Sequence, residues 1–267
     1  MNTIDKNLSF KAKEIRKSIL EVACKSKTAH VGSVLSCVDI LTSLYFHELK
    51  IDKNDWSNRD IFVLSKGHAA LALYTILAHC NIITKKKLFG YLQNNGTLPA
   101  HLDKFLAKGI EVSAGSLGHG FNIALGIAHG LKLKKSKRRV FALIGDGESQ
   151  EGSIWEGAMF ASKLGIDNFT VILDHNNLQG YGRPKDICKY EPVIDKWKAF
   201  GWETYRINGH NFNEIRKALK GSNRKKPKII VADTIKGKGV PFMENMMKWH
   251  YYIVTEDIKR DALHSLY

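Results

Sequence analysis

Asp146 and Asn176 are the residues of this chain best suited to do chemistry. Asp146 stands between glycines in Gly145-Asp146-Gly147, and Asn176 stands in Asp174-His175-Asn176-Asn177-Leu178. A carboxylate and an amide oxygen are hard ligands that suit Mg2+ or Ca2+. Mg2+ takes one or two protein ligands and completes its shell with phosphate oxygens and water. The flanking glycines let the backbone approach a phosphate with no Cβ in the way. The pair reads as a metal–diphosphate clamp, although Gly-Asp-Gly by itself also fits a tight turn with an exposed acid. Two better-known phosphate motifs are absent. No Gly-Lys-Ser/Thr ending marks a P-loop, and Gly115-Ser-Leu-Gly118-His-Gly120 reverses the glycine spacing of the dinucleotide fingerprint.

A second set of candidates is imidazole. Of the eleven histidines, His30, His68, His101 and His250 stand at loop positions after strands or turns. Imidazole exchanges protons near neutral pH and hydrogen-bonds hydroxyls and phosphates. Each of the four taken alone reads equally well as a surface or core histidine. His47, His79, His129, His210 and His264 carry no functional argument.

These side chains need elements to place them. Residues 140–144 and 169–173 are short apolar runs rich in β-branched and aromatic residues, which read as buried strands. Residues 149–164 between them carry apolar residues at helical spacing. Strand, helix and strand make a βαβ unit with parallel strands. Asp146 and Asn176 then lie at strand carboxyl ends, where open α/β sheets bind ligands. Elsewhere the pattern predicts helices over 8–24, 33–49, 69–80, 120–132, 194–200 and 213–219. It predicts further strands over 60–64, 203–207 and from 229 to 234. The glycines and alanines of 120–132 suggest close packing beneath a cofactor. The alternation argues for a doubly wound, mainly parallel α/β sheet with helices on both faces.

The segment from Gly145 to Gln179 resembles the thiamine diphosphate signature of the transketolase family, which starts at Gly-Asp-Gly and ends at Asn. Further pieces match in the family's order: Ala29-His30-Val31-Gly32, Leu64-Ser-Lys-Gly-His68, Leu98-Pro-Ala-His101, Gly115-Ser-Leu-Gly118, and Lys236-Gly-Lys-Gly-Val240 followed by Trp249-His250. The resemblance implies thiamine diphosphate with Mg2+ (or Ca2+) as cofactors. It implies side-chain metal ligation by Asp146 and Asn176, a backbone carbonyl from Leu178, and a diphosphate N–H from Gly147. Gly115 and Leu117 would line the thiazolium pocket. His68 and His250 would face the diphosphate and the reacting carbon, and His30 and His101 the sugar hydroxyls. Glu151 and Glu156 would lie near a subunit interface that couples two cofactor sites. His119 replaces the family's usual glutamine, and its role stays open.

The resemblance also implies a partner. Nothing in the chain matches the pyrimidine-binding domain, whose glutamate protonates the aminopyrimidine, or the C-terminal domain. Residues 1–267 are expected to form one thiamine diphosphate-binding domain, the N-terminal subunit of a split transketolase. The C-terminal subunit with the pyrimidine domain would complete an α2β2 assembly acting on sugar phosphates. The implied reaction is two-carbon ketol transfer from a ketose to an aldose. Tyr251 and Tyr252 depart from the small residues usual after the last histidine and are expected to reshape the acceptor mouth. They keep open a specialised enzyme of modified-sugar or surface-polysaccharide biosynthesis beside the pentose-phosphate one. A non-catalytic regulatory subunit is a further alternative, although such a chain is expected to lose the clamp.

Composition bounds the rest. With 44% hydrophobic residues among 267, the chain can build an ample core. No apolar run suggests a membrane span. The four cysteines are widely spaced, with no Cys-x-x-Cys, which reads as reduced thiols and a cytoplasmic location. The net charge of +15 gathers in runs at 85–87, 132–139 and 224–228. No aromatic interleaving or nucleic-acid motif accompanies them, so they read as solvated entry loops, with no nucleic-acid partner.

Overall fold

The computed structural model describes residues 2–52, 55–220 and 225–266. The chain opens with α1 (Thr3–Ser26), where the Asn2 side chain caps the Asp5 N–H at 2.9 Å. Next come α2 (Val31–Ser36) and α3 (Val38–Ser43), then β1 (Ile61–Leu64), α4 (Ala70–His79), α5 (Lys85–Phe89) and α6 (His119–Leu133). The second half runs β2 (Val140–Gly145), α7 (Gly152–Lys163), β3 (Phe169–His175), α8 (Pro184–Ile187), α9 (Val193–Ala199), β4 (Glu203–Asn208), α10 (Phe212–Leu219), β5 (Lys228–Asp233) and α11 (Glu256–Ser265).

The strands form one sheet in the order β1-β2-β3-β5-β4, and every pairing is parallel. Successive strand residues enter opposite faces. Phe62, Phe141, Leu143, Ile172 and Ile230 pack into a core with residues of α1 to α4 and α10. Val63, Ala142, Ile144, Val171 and Ile229 pack into a second core with α6, α7 and α9. Helices therefore cover both faces, as the doubly wound expectation required.

Several expected elements change on folding. The single helix over 33–49 is instead α2, a break at Cys37, α3 and a π-turn at Leu44–Glu48. At the break, the Ser36 hydroxyl reaches the Asp174 carboxylate at 2.6 Å and lies 3.0 Å from the Ser33 carbonyl. The helix expected from 149 starts at Gly152, after a 3-10 turn at Glu148–Gln150. Helices α5, α8 and α11 are short or strongly charged and went unforeseen. Gly126 and Gly130 of α6 meet nothing within 4 Å of an added Cβ. Gly120, Ala124 and Ala128 of the same helix are buried, and a Cβ at Gly120 would lie 2.7 Å from the Ser65 hydroxyl, so the small residues on that face do pack closely.

The basic runs before β2 and β5 have structural work at the strand entries, whereas residues 85–87 lie in α5. Arg139 pairs with Glu48 and Asp60. The Lys132 ammonium donates to the Gly165 carbonyl at 2.5 Å and to Asp167 at 3.0 Å. Lys228 caps α10 by donating to the Ala218, Leu219 and Lys220 carbonyls. Arg224 of the last run lies outside the described residues.

Candidate active site

Gly145 of β2 lies in register with Asp174 of β3, so Asp146 and Asn176 leave the sheet side by side. Asp146 is buried, and its Oδ2 accepts the backbone N–H groups of Asn176 at 2.9 Å and Asn177 at 2.8 Å. One carboxylate oxygen thus fastens the two strand ends together. Asn177 turns the chain with φ at 59°, a conformation that asparagine tolerates better than most residues. The other oxygen, Oδ1, is buried and accepts no hydrogen bond, and His175 Nε2 stands 3.9 Å away. Burial raises the Asp146 carboxyl to about 6.

Behind this pair lies a buried ion pair. Lys66, after β1, meets Asp174, the last-but-one residue of β3; both side chains are 1% exposed or less. Asp174 also accepts from Ser36 and Thr234, and Lys66 donates to the Ser33 carbonyl at 3.1 Å. Burial opposes both charges, but the contact wins: the carboxyl is held below its usual range and the ammonium above its own. Glu148 is a third buried acid. It accepts from Ser65, from Gly118 N at 3.0 Å and from Gly145 N at 3.3 Å, and burial lifts it to about 7. Gly118 reaches that bond with φ at 82°, where an L side chain is strained.

A cavity of about 500 Å³ opens over these groups. Its lining includes every residue proposed from sequence for catalysis, cofactor or metal: His30, His68, His101, Gly115, Leu117, Asp146, Gly147, Glu151, Asn176, Leu178 and His250. The rings of His30, His68 and His250 form one cluster, with centroids 4.9 to 5.8 Å apart. His30 sits at φ 67°, and its N–H donates to the His250 carbonyl at 2.9 Å. Burial lowers the pKa of all three, His250 to about 3 and His68 well below its usual value. His101 stands on another wall, with its Cδ2 3.8 Å from the Cβ position of Gly115.

Sequence reasoning missed Lys66, Glu148, Gln150, Gln179 and Lys236. Lys66, Glu148, Gln150 and Gln179 line the cavity. Lys236, fully buried, donates to the Leu178 carbonyl at 3.1 Å and to His250 Nδ1 at 2.8 Å. Lys66 and Lys236 lie inside family-like motifs, but only folding reveals their partners. Tyr251 lines the cavity and its ring lies 4.7 Å from His250. Tyr252 does not line it: its ring packs on Trp249 at 5.5 Å, which corrects the expectation of a shared mouth. His119 and Glu156 are exposed on the outer surface.

The donor set fits a divalent cation with a diphosphate. Asp146 Oδ1 is a buried carboxylate oxygen with an open lone pair. The Asn176 amide oxygen and the Leu178 carbonyl each accept one bond, from Leu178 N at 3.2 Å and from Lys236, and retain a second lone pair. Two glycines and the buried Lys66 ammonium border the same space.

Comparison with known proteins agrees. Residues 9–262 match the family model for the transketolase thiamine diphosphate binding domain. A 6-deoxy-6-sulfo-D-fructose transketolase subunit from Clostridium sp. (strain MSTE9) is 40% identical, over 97% of this chain and 96% of that protein. An apulose-4-phosphate transketolase subunit from Actinobacillus succinogenes is 39% identical, over 97% of this chain and 98% of that protein. The solved transketolase from Campylobacter jejuni superposes with a TM-score of 0.90 at 30% identity. It covers 99% of this chain, which spans 43% of that longer chain. The chain belongs to the transketolase family, as a thiamine diphosphate-binding domain of the length its subunit-type relatives have.

Proposed function

We propose that this chain holds the diphosphate and cation of thiamine diphosphate for two-carbon ketol transfer between sugars, and that a second polypeptide completes the site. The observation that carries the reading is the unpartnered Asp146 Oδ1, buried at the joined ends of β2 and β3 under a histidine-lined cavity. Asp146, Asn176 and the Leu178 carbonyl are the ligands for Mg2+ (or Ca2+). Gly147 N–H and His68 face the diphosphate, and Gly115 and Leu117 border the thiazolium.

Bound thiamine diphosphate supplies the electron sink for breaking and forming the carbon–carbon bond. The chain's own residues orient and desolvate. Lys66, paired to Asp174, adds a fixed dipole with its ammonium end toward the cavity, in a water-poor site where it acts on anionic groups. His30, His68 and His250 stay neutral near pH 7 and offer hydrogen bonds without charge. His30 and His101 bind sugar hydroxyls.

The partner is the C-terminal transketolase subunit with the pyrimidine domain, in an α2β2 assembly. In support, Ile123 of α6 and Met159 and Phe160 of α7 are about half exposed beside the open Gly126 and Gly130. Exposed apolar helix faces of this kind mark protein contacts. Glu151 and Glu156 flank that surface. Some relatives matched along their full length are named for 6-deoxy-6-sulfo-D-fructose or apulose-4-phosphate, which favours a specialised ketose over pentose phosphates. The four cysteines are free thiols, in keeping with a cytoplasmic site of action. Among the described residues no helix is long and apolar enough to cross a membrane.

The experiment is reconstitution. The purified chain with thiamine diphosphate, Mg2+, a ketose phosphate and an aldose acceptor should show no turnover. Adding the pyrimidine-domain subunit should restore it. Robust turnover by the chain alone would refute the split-site reading.

A further inference from the structure

We infer that Lys236 is a positioning residue that holds His250 in one tautomer, with its proton on Nε2, so that a neutral imidazole presents a single fixed N–H to the substrate. An ammonium group has donors and no acceptor. The 2.8 Å contact from Lys236 Nζ to His250 Nδ1 therefore makes Nδ1 the acceptor. In a neutral ring the proton then sits on Nε2.

The surroundings hold this arrangement in place. Lys236 is fully buried and also bound to the Leu178 carbonyl. Gly237 N–H donates to the Gly32 carbonyl at 2.9 Å, and a Cβ at Gly32 would lie 3.0 Å from Lys236 Cγ. The His250 backbone is tied to His30 by the 2.9 Å bond already described. On the other side of the ring, a Cβ at Gly180 would lie 3.4 Å from His250 Nε2 and 2.6 Å from the Tyr251 hydroxyl. The glycine keeps the approach to Nε2 open. The charged or titratable groups facing His250 are Lys236, His30, His68, Tyr251 and Lys66; burial together with Lys236, His30 and Lys66 disfavours an imidazolium.

His250 so held is a hydrogen-bond donor and neither a base nor a strong acid. A fixed dipole of this kind stabilises an oxygen that gains negative charge, with no proton having to move. Naming that oxygen as a ketose carbonyl rests on the ketol-transfer reading, whereas the tautomer does not.

The test is NMR on the full chain with 15N-labelled histidine, the His250 signals being assigned by loss in His250→Asn. The expected result at pH 7 is an unprotonated Nδ1 and a protonated Nε2. A protonated Nδ1 or an imidazolium would overturn the inference without any variant of Lys236. In Lys236→Met with an unchanged circular dichroism spectrum, both ring nitrogens should leave their single-tautomer shifts. In the reconstituted complex at saturating thiamine diphosphate, that variant should lose roughly tenfold to a hundredfold in kcat with KM little changed. Wild-type shifts and wild-type kcat in the variant would refute the role of Lys236. The stated tautomer in a complex that transfers no ketol group would instead refute the proposed function and leave the inference standing.

Discussion

Both ends of the sheet pair charges, but only the exit end opens a histidine-lined cavity over polar atoms left unpartnered. At the strand entries, cations from the basic runs meet carbonyls or carboxylates: Arg139 with Glu48 and Asp60, Lys228 with the last carbonyls of α10. At the strand exits, Asp146 Oδ1, Gln150 Nε2 and His30 Nδ1 are buried without a partner, and three histidines are held neutral. Buried polar atoms without partners are costly, and a fold keeps them chiefly where they serve a ligand. The contrast teaches that the charge run of a sequence can be architecture. Unpaired polar atoms point to function only where they gather around one cavity, since Arg59 Nε and Asn168 Oδ1 near the strand entries are also buried without a partner.

The sharpest way to break that contrast is Asp174→Asn. It leaves the Lys66 ammonium buried beneath the site with no counter-charge. Breaking a buried pair from one side costs about 3–5 kcal/mol, to be read as a fall in urea midpoint. A loss under about 1 kcal/mol would mean that the exits are no more sensitive than a surface ion pair.

Next come the histidines of the cavity. His30→Ala and His101→Ala should each lose about 1–3 kcal/mol of transition-state binding, or roughly tenfold to a hundredfold in kcat/KM. Thiamine diphosphate affinity should barely move. His68→Ala should weaken both. Equal cofactor loss in all three would erase the division of the histidines, which the close packing of His30 against His68 and His250 puts under most pressure.

The strand-entry end predicts a smaller effect, visible through pH. Burial lowers the Lys228 ammonium to about 8, against roughly 10.4 for an unfolded lysine. Between those values the unfolded chain binds more protons, so stability rises with pH across that window. Lys228→Met removes the group, and its stability should change less between about pH 8 and 10 than that of the native chain. Parallel pH profiles would show that Lys228 carries no such cost.

Legibility in the sequence followed the same divide. The apolar runs ending at Ile144 and Leu173 read directly as strands, since strands covered on both faces are continuously hydrophobic. Asp146 and Asn176 could be placed from those ends alone. The Lys66–Asp174 pair could not. Asp174 reads as the close of an apolar strand, Lys66 as one letter of a short motif, and their contact spans 108 residues. The break at Cys37 escaped notice because residues on both sides of it are apolar at helical spacing. Glu148 carries no local signal of its burial between two backbone N–H donors. Side chains whose role depends on a distant partner leave no local signal.

The central claim is that Asp146 and Asn176 join two strand ends into a seat for a divalent cation carrying thiamine diphosphate. Isothermal calorimetry of thiamine diphosphate, with and without Mg2+, on the native protein and on Asp146→Ala tests it most directly. The account predicts Mg2+-dependent binding by the native protein. It predicts a loss in Asp146→Ala larger than the roughly 10–100-fold typical of an outer-shell partner. Unchanged affinity in Asp146→Ala, or binding indifferent to Mg2+, would contradict it.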